Sequence, residues 1–244
     1  MKITLIGMTN PMFEDGVDED VIYTAMSQCY NESFDEEDAK NTSLEQKRKI
    51  IRNVLRSGHD SISEHTSFTF LIEDCSLTAT HQLVRHRVAS YSQRSARYTG
   101  LEDGIWFVVP PSIAKNREAL EVYVKTMRIE RESYKTLTEQ YNIPKEDARF
   151  VLGAGKHTNI VVSMNCRALK NFFAHRLCTR AQWEIREIAH EMAKICKEKL
   201  PVVFDECSFG EPKCVQNGFC VEPKSQWCKR RPHISELKEK KNEG

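Results

Sequence analysis

The chain has 244 residues, with 36 Lys and Arg against 35 Asp and Glu and a formal charge of +1. That balance argues against a general nucleic-acid or membrane-surface binder, which would carry a basic excess over its whole surface. The length allows a full core, as one large domain or a domain with an appendage.

The opening apolar run, residues 2–7, reads as a short strand. It is too brief for a secretory signal, and no later run approaches membrane-spanning length, so the expected location is cytoplasmic, with no membrane partner. Residues 18–30 form a plausible helix, followed by the acidic loop 32–38. Thr42 and Glu45 pair as a capping box for a helix that keeps its apolar spacing to Gly58. Residues 67–72 alternate in part and predict a strand, and Ser76 is placed to cap a helix through Leu77, Leu83 and Val84. Residues 106–109 predict a buried strand ended by Pro110 and Pro111. Ser112 then opens a long helix toward Asn142, with Leu120, Val124, Met127, Tyr134 and Tyr141 on one face. Residues 157–165 carry a Val-rich strand, and residues 167–177 and 182–199 two further helices. Helices and strands mix without a regular alternating repeat, which favours an α+β fold over a doubly wound sheet. From Pro201 the chain gains Cys, Pro and Gly and ends in a Lys- and Glu-rich tail of the kind that stays disordered.

The positive charge is concentrated. No Asp or Glu occurs in residues 75–101, which carry Arg85, His86, Arg87, Arg94 and Arg97 among serines, nor in residues 151–183, which carry Arg167, Arg176 and Arg180. In a chain that is 29% charged, two such windows imply local fields for an oxygen-rich anion, and guanidinium forks suit phosphate or a planar base edge. A strand-like 85–87 would send both arginines one way and His86 the other. The bland alternative is a solvated helix-end charge cluster, but surface arginines normally sit among compensating acids.

Nine cysteines with no export signal disfavour a disulfide framework. Cys29, Cys75, Cys166, Cys178 and Cys196 lie in apolar or helical contexts, where a thiol acts as a small hydrophobe. Cys207, Cys214, Cys220 and Cys228 cluster late, as ligands of a structural zinc or as free, redox-labile thiols. Residues 153–158 look like a nucleotide loop but fail: Thr158 stands where a dinucleotide fingerprint needs its third glycine. Phe150 and His157 likewise break a phosphate loop.

Arg85-His86-Arg87 followed by Ser95 resembles the signature of the flavin-dependent thymidylate synthases, the ThyX family. The stretch 58–65, Gln82, Asp147-Ala148-Arg149, residues 165–172, Arg176 and residues 181–186 follow the family's pattern in order. Ser92 and Gln93 stand where some members carry Asn and Glu. The resemblance spans most of residues 1–205, leaving 206–244 as a Cys-rich appendage. It implies mixed helices on a mainly antiparallel sheet, a homotetramer with sites shared between subunits, and conversion of dUMP to dTMP. Methylenetetrahydrofolate would supply the carbon, and NADPH the reducing equivalents through FAD. Matching positions would place His59, Ser61, Glu64, Arg85, His86, Arg87, Gln93, Asn165, Arg167 and Asn171 around FAD. Gln82, Arg85, Gln93, Ser95, Arg97, Arg149 and Arg176 would surround dUMP, with Arg97, Arg149 and the Ser95 region on its phosphate and Arg176, the catalytic candidate, on its uracil ring. No nucleic-acid partner is implied. The rival from another class is a non-enzymatic nucleotide- or RNA-binding protein using the same basic surface.

Overall fold

The sheet follows from alternation in two strands. In the computed structural model the described residues are 1–11, 16–30, 36–95 and 106–237. Strands β1 (Lys2–Met8), β2 (Ser67–Ser76), β3 (Ser90–Gln93) and β4 (His157–Asn165) form one sheet in the order β1-β2-β4-β3. Phe68, Phe70 and Ile72 on β2, and Thr158, Ile160, Val162 and Met164 on β4, are buried at every second residue, as a half-covered sheet requires. Pairing across β2 and β4 is antiparallel: Thr69 Oγ1 lies 2.8 Å from Ser163 Oγ, while Asp74 N donates to Asn159 Oδ1 at 3.0 Å. The strands expected at 2–7, 67–72 and 157–165 are therefore present.

The strand expected at 106–109 is not. Phe107 makes only an isolated antiparallel bridge with Lys156, because Pro110 and Pro111 follow at once and offer no N–H to extend a ladder. Residues 85–87 are not strand either. The helix α4 (Leu77–Leu83), capped by Ser76 as expected, ends at Val84, and the chain turns before β3 opens at Ser90.

The chain divides into two compact units. One comprises Met1–Lys2, Leu71–Arg85 and Tyr91–Val161. Its helices beyond α4 are α5 (Pro111–Ala114), α6 (Arg117–Lys135) and α7 (Lys145–Ala148). The single long helix expected from Ser112 is split, because Asn116 accepts from Ala119 N at 3.1 Å and caps a new helix. A π turn at Thr136–Gln140 then adds a residue to the turn and rotates the phase. Met127 and Tyr134 stay buried, whereas Tyr141, expected on the same face, is exposed.

The other unit comprises Ile3–Phe70, His86–Ser90 and Val162–Gly244. It holds α1 (Asp20–Tyr30), α2 (Glu36–Asn41), α3 (Leu44–Arg56), α8 (Cys166–Arg176), α9 (Trp183–Lys199) and α10 (Lys213–Asn217). Ser43, not Thr42, caps α3, accepting from Gln46 N at 3.3 Å. The box slips by one residue because Ser43 holds the extended conformation that a cap needs. The core is aromatic. Phe204 meets Phe68 edge-on at 5.6 Å, Phe173 at 6.1 Å and Phe209 at 6.4 Å, and all four rings are buried. Lys47 on α3 and Asp20 on α1 form a buried ion pair at 2.5 Å, their side chains only 7% and 6% exposed. The charged end beyond residue 237 lies outside the described residues.

Candidate active site

The second unit places most of the expected flavin contacts. Residues Asp60–His65 form a 3₁₀ turn that presents His59, Ser61 and Glu64 at the surface. Glu64 pairs with Arg167 in the first turn of α8. Asn165 caps α8, its side-chain oxygen accepting from Ala168 N at 2.8 Å, and Asn171 and Arg87 are exposed. Asp60 Oδ2 takes Lys170 Nζ at 2.7 Å, while Asp60 Oδ1 is buried with no hydrogen-bond partner. An orphaned carboxylate oxygen beside exposed hydroxyl, imidazole and guanidinium groups fits a large ligand carrying N–H or O–H donors and phosphates, as FAD does.

The same unit holds the most specific contact. Arg176, at the end of α8, donates from Nε to His86 Nε2 at 3.0 Å. The His86 ring stands edge-on to Phe172 at 5.0 Å and 84°, and 6.4 Å from the His175 ring. Burial first, then the Arg176 charge and the neighbouring His175, holds His86 down at about 4 against its ordinary 6.5. The imidazole is therefore neutral at neutral pH, and because Arg Nε can only donate, Nε2 must be the accepting nitrogen. A neutral acceptor fixes the direction of the guanidinium without cancelling its charge.

The first unit holds most of the residues expected to face dUMP. Gln93 Nε2 donates to Thr80 Oγ1 at 3.2 Å and Thr158 Oγ1 at 3.3 Å, which orients its amide from β3 toward β4. Tyr91 donates to Leu83 O at 2.8 Å, and burial pushes its phenol up to about 12. Arg149 Nε donates to Glu146 O at 3.0 Å. Lys156 is held below its ordinary value by burial and then by Arg94 and Arg149. Two guanidinium groups beside a desolvated ammonium concentrate positive charge there, as an anion site requires. Sequence reasoning named Arg149 here but missed Lys156 and Arg94 as its companions. The usable signal was that both lie inside the acid-free windows. Gln82 and Ser95 are half-buried in this unit, and Arg85 is exposed on the turn after α4. Arg97 lies outside the described residues.

The zinc ligand set needs correction. Cys207 stands apart, its sulfur 4.0 Å from Arg52 O among Arg56, Glu206 and Arg52. Among the described residues no three His, Cys, Asp or Glu side chains stand at metal-binding spacing, so Cys207, Cys214, Cys220 and Cys228 do not form a site. Cys207 follows a π turn at Val202–Glu206 that packs on α3, which draws it away from the later thiols.

Similarity to known proteins agrees with this chemistry. The family model described as "Thymidylate synthase complementing protein" matches residues 14–202. Flavin-dependent thymidylate synthases from Pyrococcus abyssi and Nitratidesulfovibrio vulgaris are each 42% identical to this chain. They cover 91% and 87% of it and 90% of their own length. A crystal structure of the UMP/dUMP methylase PolB from Streptomyces cacaoi, bound with 5-Br dUMP, superposes with a TM-score of 0.71 at 22% identity. It covers 85% of this chain and 94% of that one, and so shares the fold. The chain belongs to the flavin-dependent thymidylate synthase family. It is therefore an enzyme rather than a non-catalytic binding module. Among the described residues no helix is long and apolar enough to cross a membrane.

Proposed function

We propose that the protein converts dUMP to dTMP by reductive methylation, taking the carbon from methylenetetrahydrofolate and the reducing equivalents from NADPH by way of FAD. The observation that carries this reading is the Arg176–His86 contact, a guanidinium aimed by a neutral imidazole. Carbon 6 of uracil accepts hydride poorly unless negative charge developing along N3–C4=O is stabilised. A pre-oriented guanidinium at that edge supplies the stabilisation with no reorganisation during reaction. FAD supplies the hydride when bound.

The protein's own groups then have separate tasks. Arg94, Arg149 and Lys156 would take the nucleotide phosphate with Ser95, and the family resemblance adds Arg97 to that role. Gln82, Arg85 and Gln93 would hold the nucleoside, Gln93 with its amide oriented by Thr80 and Thr158. His59, Ser61, Glu64, Arg87, Asn165, Arg167 and Asn171 would hold FAD, together with Arg85, His86 and Gln93. No thiol nucleophile is invoked: Cys166, at the start of α8, is fully buried, and burial drives its thiol far up. The exposure of His59, Ser61, Arg85, Arg87, Arg167 and Asn171 in a single chain supports completion of the sites by other copies in a homotetramer.

Anaerobic incubation of purified protein with FAD, dUMP, methylenetetrahydrofolate and NADPH should yield dTMP and consume NADPH in proportion. A protein that binds FAD but forms no dTMP would overturn the reading. Light scattering should give a mass near four chains.

A further inference from the structure

A cluster of four thiols in the second unit lies outside this machinery. Cys178, in the turn after α8, lines one small cavity of about 90 Å³ with Cys214, Cys220 and Cys228, beside His175, Thr179 and Glu222. The cavity wall is tied down by ion pairing of Arg180 with Glu222 and by His233 Nε2 against Glu222 O at 2.8 Å. Cys220 and Cys228 share one closed loop. Cys220 N donates to Pro232 O at 2.8 Å, Ile234 N donates to Cys220 O at 2.9 Å, and Trp227 Nε1 donates to Arg231 O at 2.8 Å.

The four sulfurs are not equivalent. Cys228 is exposed, whereas Cys220 is buried. The Arg230 backbone N–H, then the Thr179 hydroxyl and the Arg230 charge, hold the Cys228 thiol below the ordinary range. Cys220 is held above that range by burial and by the neighbouring Cys228. An exposed thiol with its ionisation favoured, beside a buried thiol on the same loop and in the same cavity, is the arrangement of an attacking and a resolving cysteine.

We propose that Cys228 is a peroxide-reactive cysteine whose oxidation is resolved by Cys220 as an intrachain disulfide. The Cys228 thiolate attacks one oxygen of hydrogen peroxide. The S–O bond forms as the O–O bond breaks, and the departing hydroxide takes a proton and leaves as water. The Cys220 sulfur then attacks the sulfenic sulfur. The S–S bond forms, the S–O bond breaks, and the second water carries away the Cys220 proton. Two electrons pass from two thiols to one peroxide, so no other oxidant is needed.

The test uses the full-length protein, reduced, desalted and titrated with hydrogen peroxide, with each thiol followed by alkylation and peptide mass spectrometry. Cys228 should be lost about tenfold faster than Cys29, the other exposed thiol, and a peptide linked through Cys220 and Cys228 should accumulate. In Cys220→Ser the Cys228 sulfenic acid should persist and be trapped by dimedone. Equal reactivity of Cys29 and Cys228 would overturn the proposal. So would oxidised Cys228 with no link to Cys220, or about one tightly bound zinc ion per chain shielding the cluster.

Discussion

Arg176 Nε donates to His86 Nε2 at 3.0 Å, and Phe172 holds the His86 ring edge-on from the same helix that carries Arg176. The sequence distance between the partners is 90 residues, so the contact exists only because the turn after α4 returns to the end of α8. Replacing His86 by Phe preserves a ring against Phe172 but removes the acceptor. A guanidinium released by even 1 Å can lose roughly 10²-fold in rate. His86→Phe should therefore lower kcat by about that factor. His86 is also placed against FAD, so the variant is to be assayed at saturating FAD. A kcat equal to wild type under those conditions would rule out a positioning role.

The same contact has a pH consequence. His86 titrates near 4 when folded and near 6.5 when exposed, so the folded state binds the proton less readily. Stability from this group is fully present above about 6.5 and is lost as pH falls from there through 4. The group is only half-buried, and solvent screening reduces the effect to about 1 kcal/mol. Thermal denaturation should show a steeper decline between pH 6.5 and 4 in the wild type than in His86→Gln, and parallel curves would count against the assignment.

Arg176→Ala should reduce dTMP formation by roughly 10²–10³-fold, the usual loss when one donor to a developing oxyanion is removed. Flavin content should change little, because the expected FAD contacts at Glu64 and Arg167 remain paired with each other. Arg176→Lys should recover little of the rate, since a lysine cannot present both a donor to His86 and a planar fork to the uracil edge. The His86 titration offers an independent readout by NMR. It should rise when Arg176 is removed yet stay below 6.5, because burial is the larger cause.

Lys47 and Asp20 supply a stability test away from the chemistry. Removing Lys47 as Lys47→Ala leaves a carboxylate buried and unpaired, which typically costs about 3–5 kcal/mol. Lys47→Ala combined with Asp20→Ala should recover part of that loss, but not all of it. Asp20 also accepts from Val17 N at 2.9 Å, just ahead of α1, a contact worth about 1 kcal/mol. Urea denaturation of the two variants gives the comparison directly.

Periodicity made the alternating strands legible: β4 forms over the expected 157–165, and β2 starts at the expected Ser67 but runs on to Ser76, past the alternating stretch that ends at Ile72. It did not reveal the break at Asn116, because a polar residue between two helical patterns looks like an exposed position until its side chain is seen capping Ala119. Nor did it reveal the phase shift at Thr136–Gln140, since a π turn changes which face a residue takes without changing composition. At the site, the arginine-rich motif and the family's pattern marked Arg176 and His86 individually, while their mutual hydrogen bond depends on a long-range fold. The thiols show the opposite failure. Proximity in sequence suggested Cys207, but the cavity instead gathers Cys178 from nearly forty residues before Cys214. Lys156 was passed over because it sits in a string that resembles a broken nucleotide loop.

Lys156 is now the most discriminating residue for the phosphate reading. Arg94 and Arg149 crowd it, and burial deprives it of solvent, so its ammonium is destabilised without an anion and relieved by one. Lys156→Met keeps the stem's packing but removes the charge. One charge-assisted contact contributes roughly 1.5–3 kcal/mol, which predicts a KM for dUMP about ten- to a hundredfold higher. The turnover number at saturation should be nearly unchanged, because the phosphate is equally bound in ground and transition states. Deoxyuridine, which lacks the phosphate, should be used equally poorly by wild type and variant. If Lys156→Met instead lowers kcat with KM unchanged, or weakens deoxyuridine use as much as dUMP use, the cluster does not grip the phosphate.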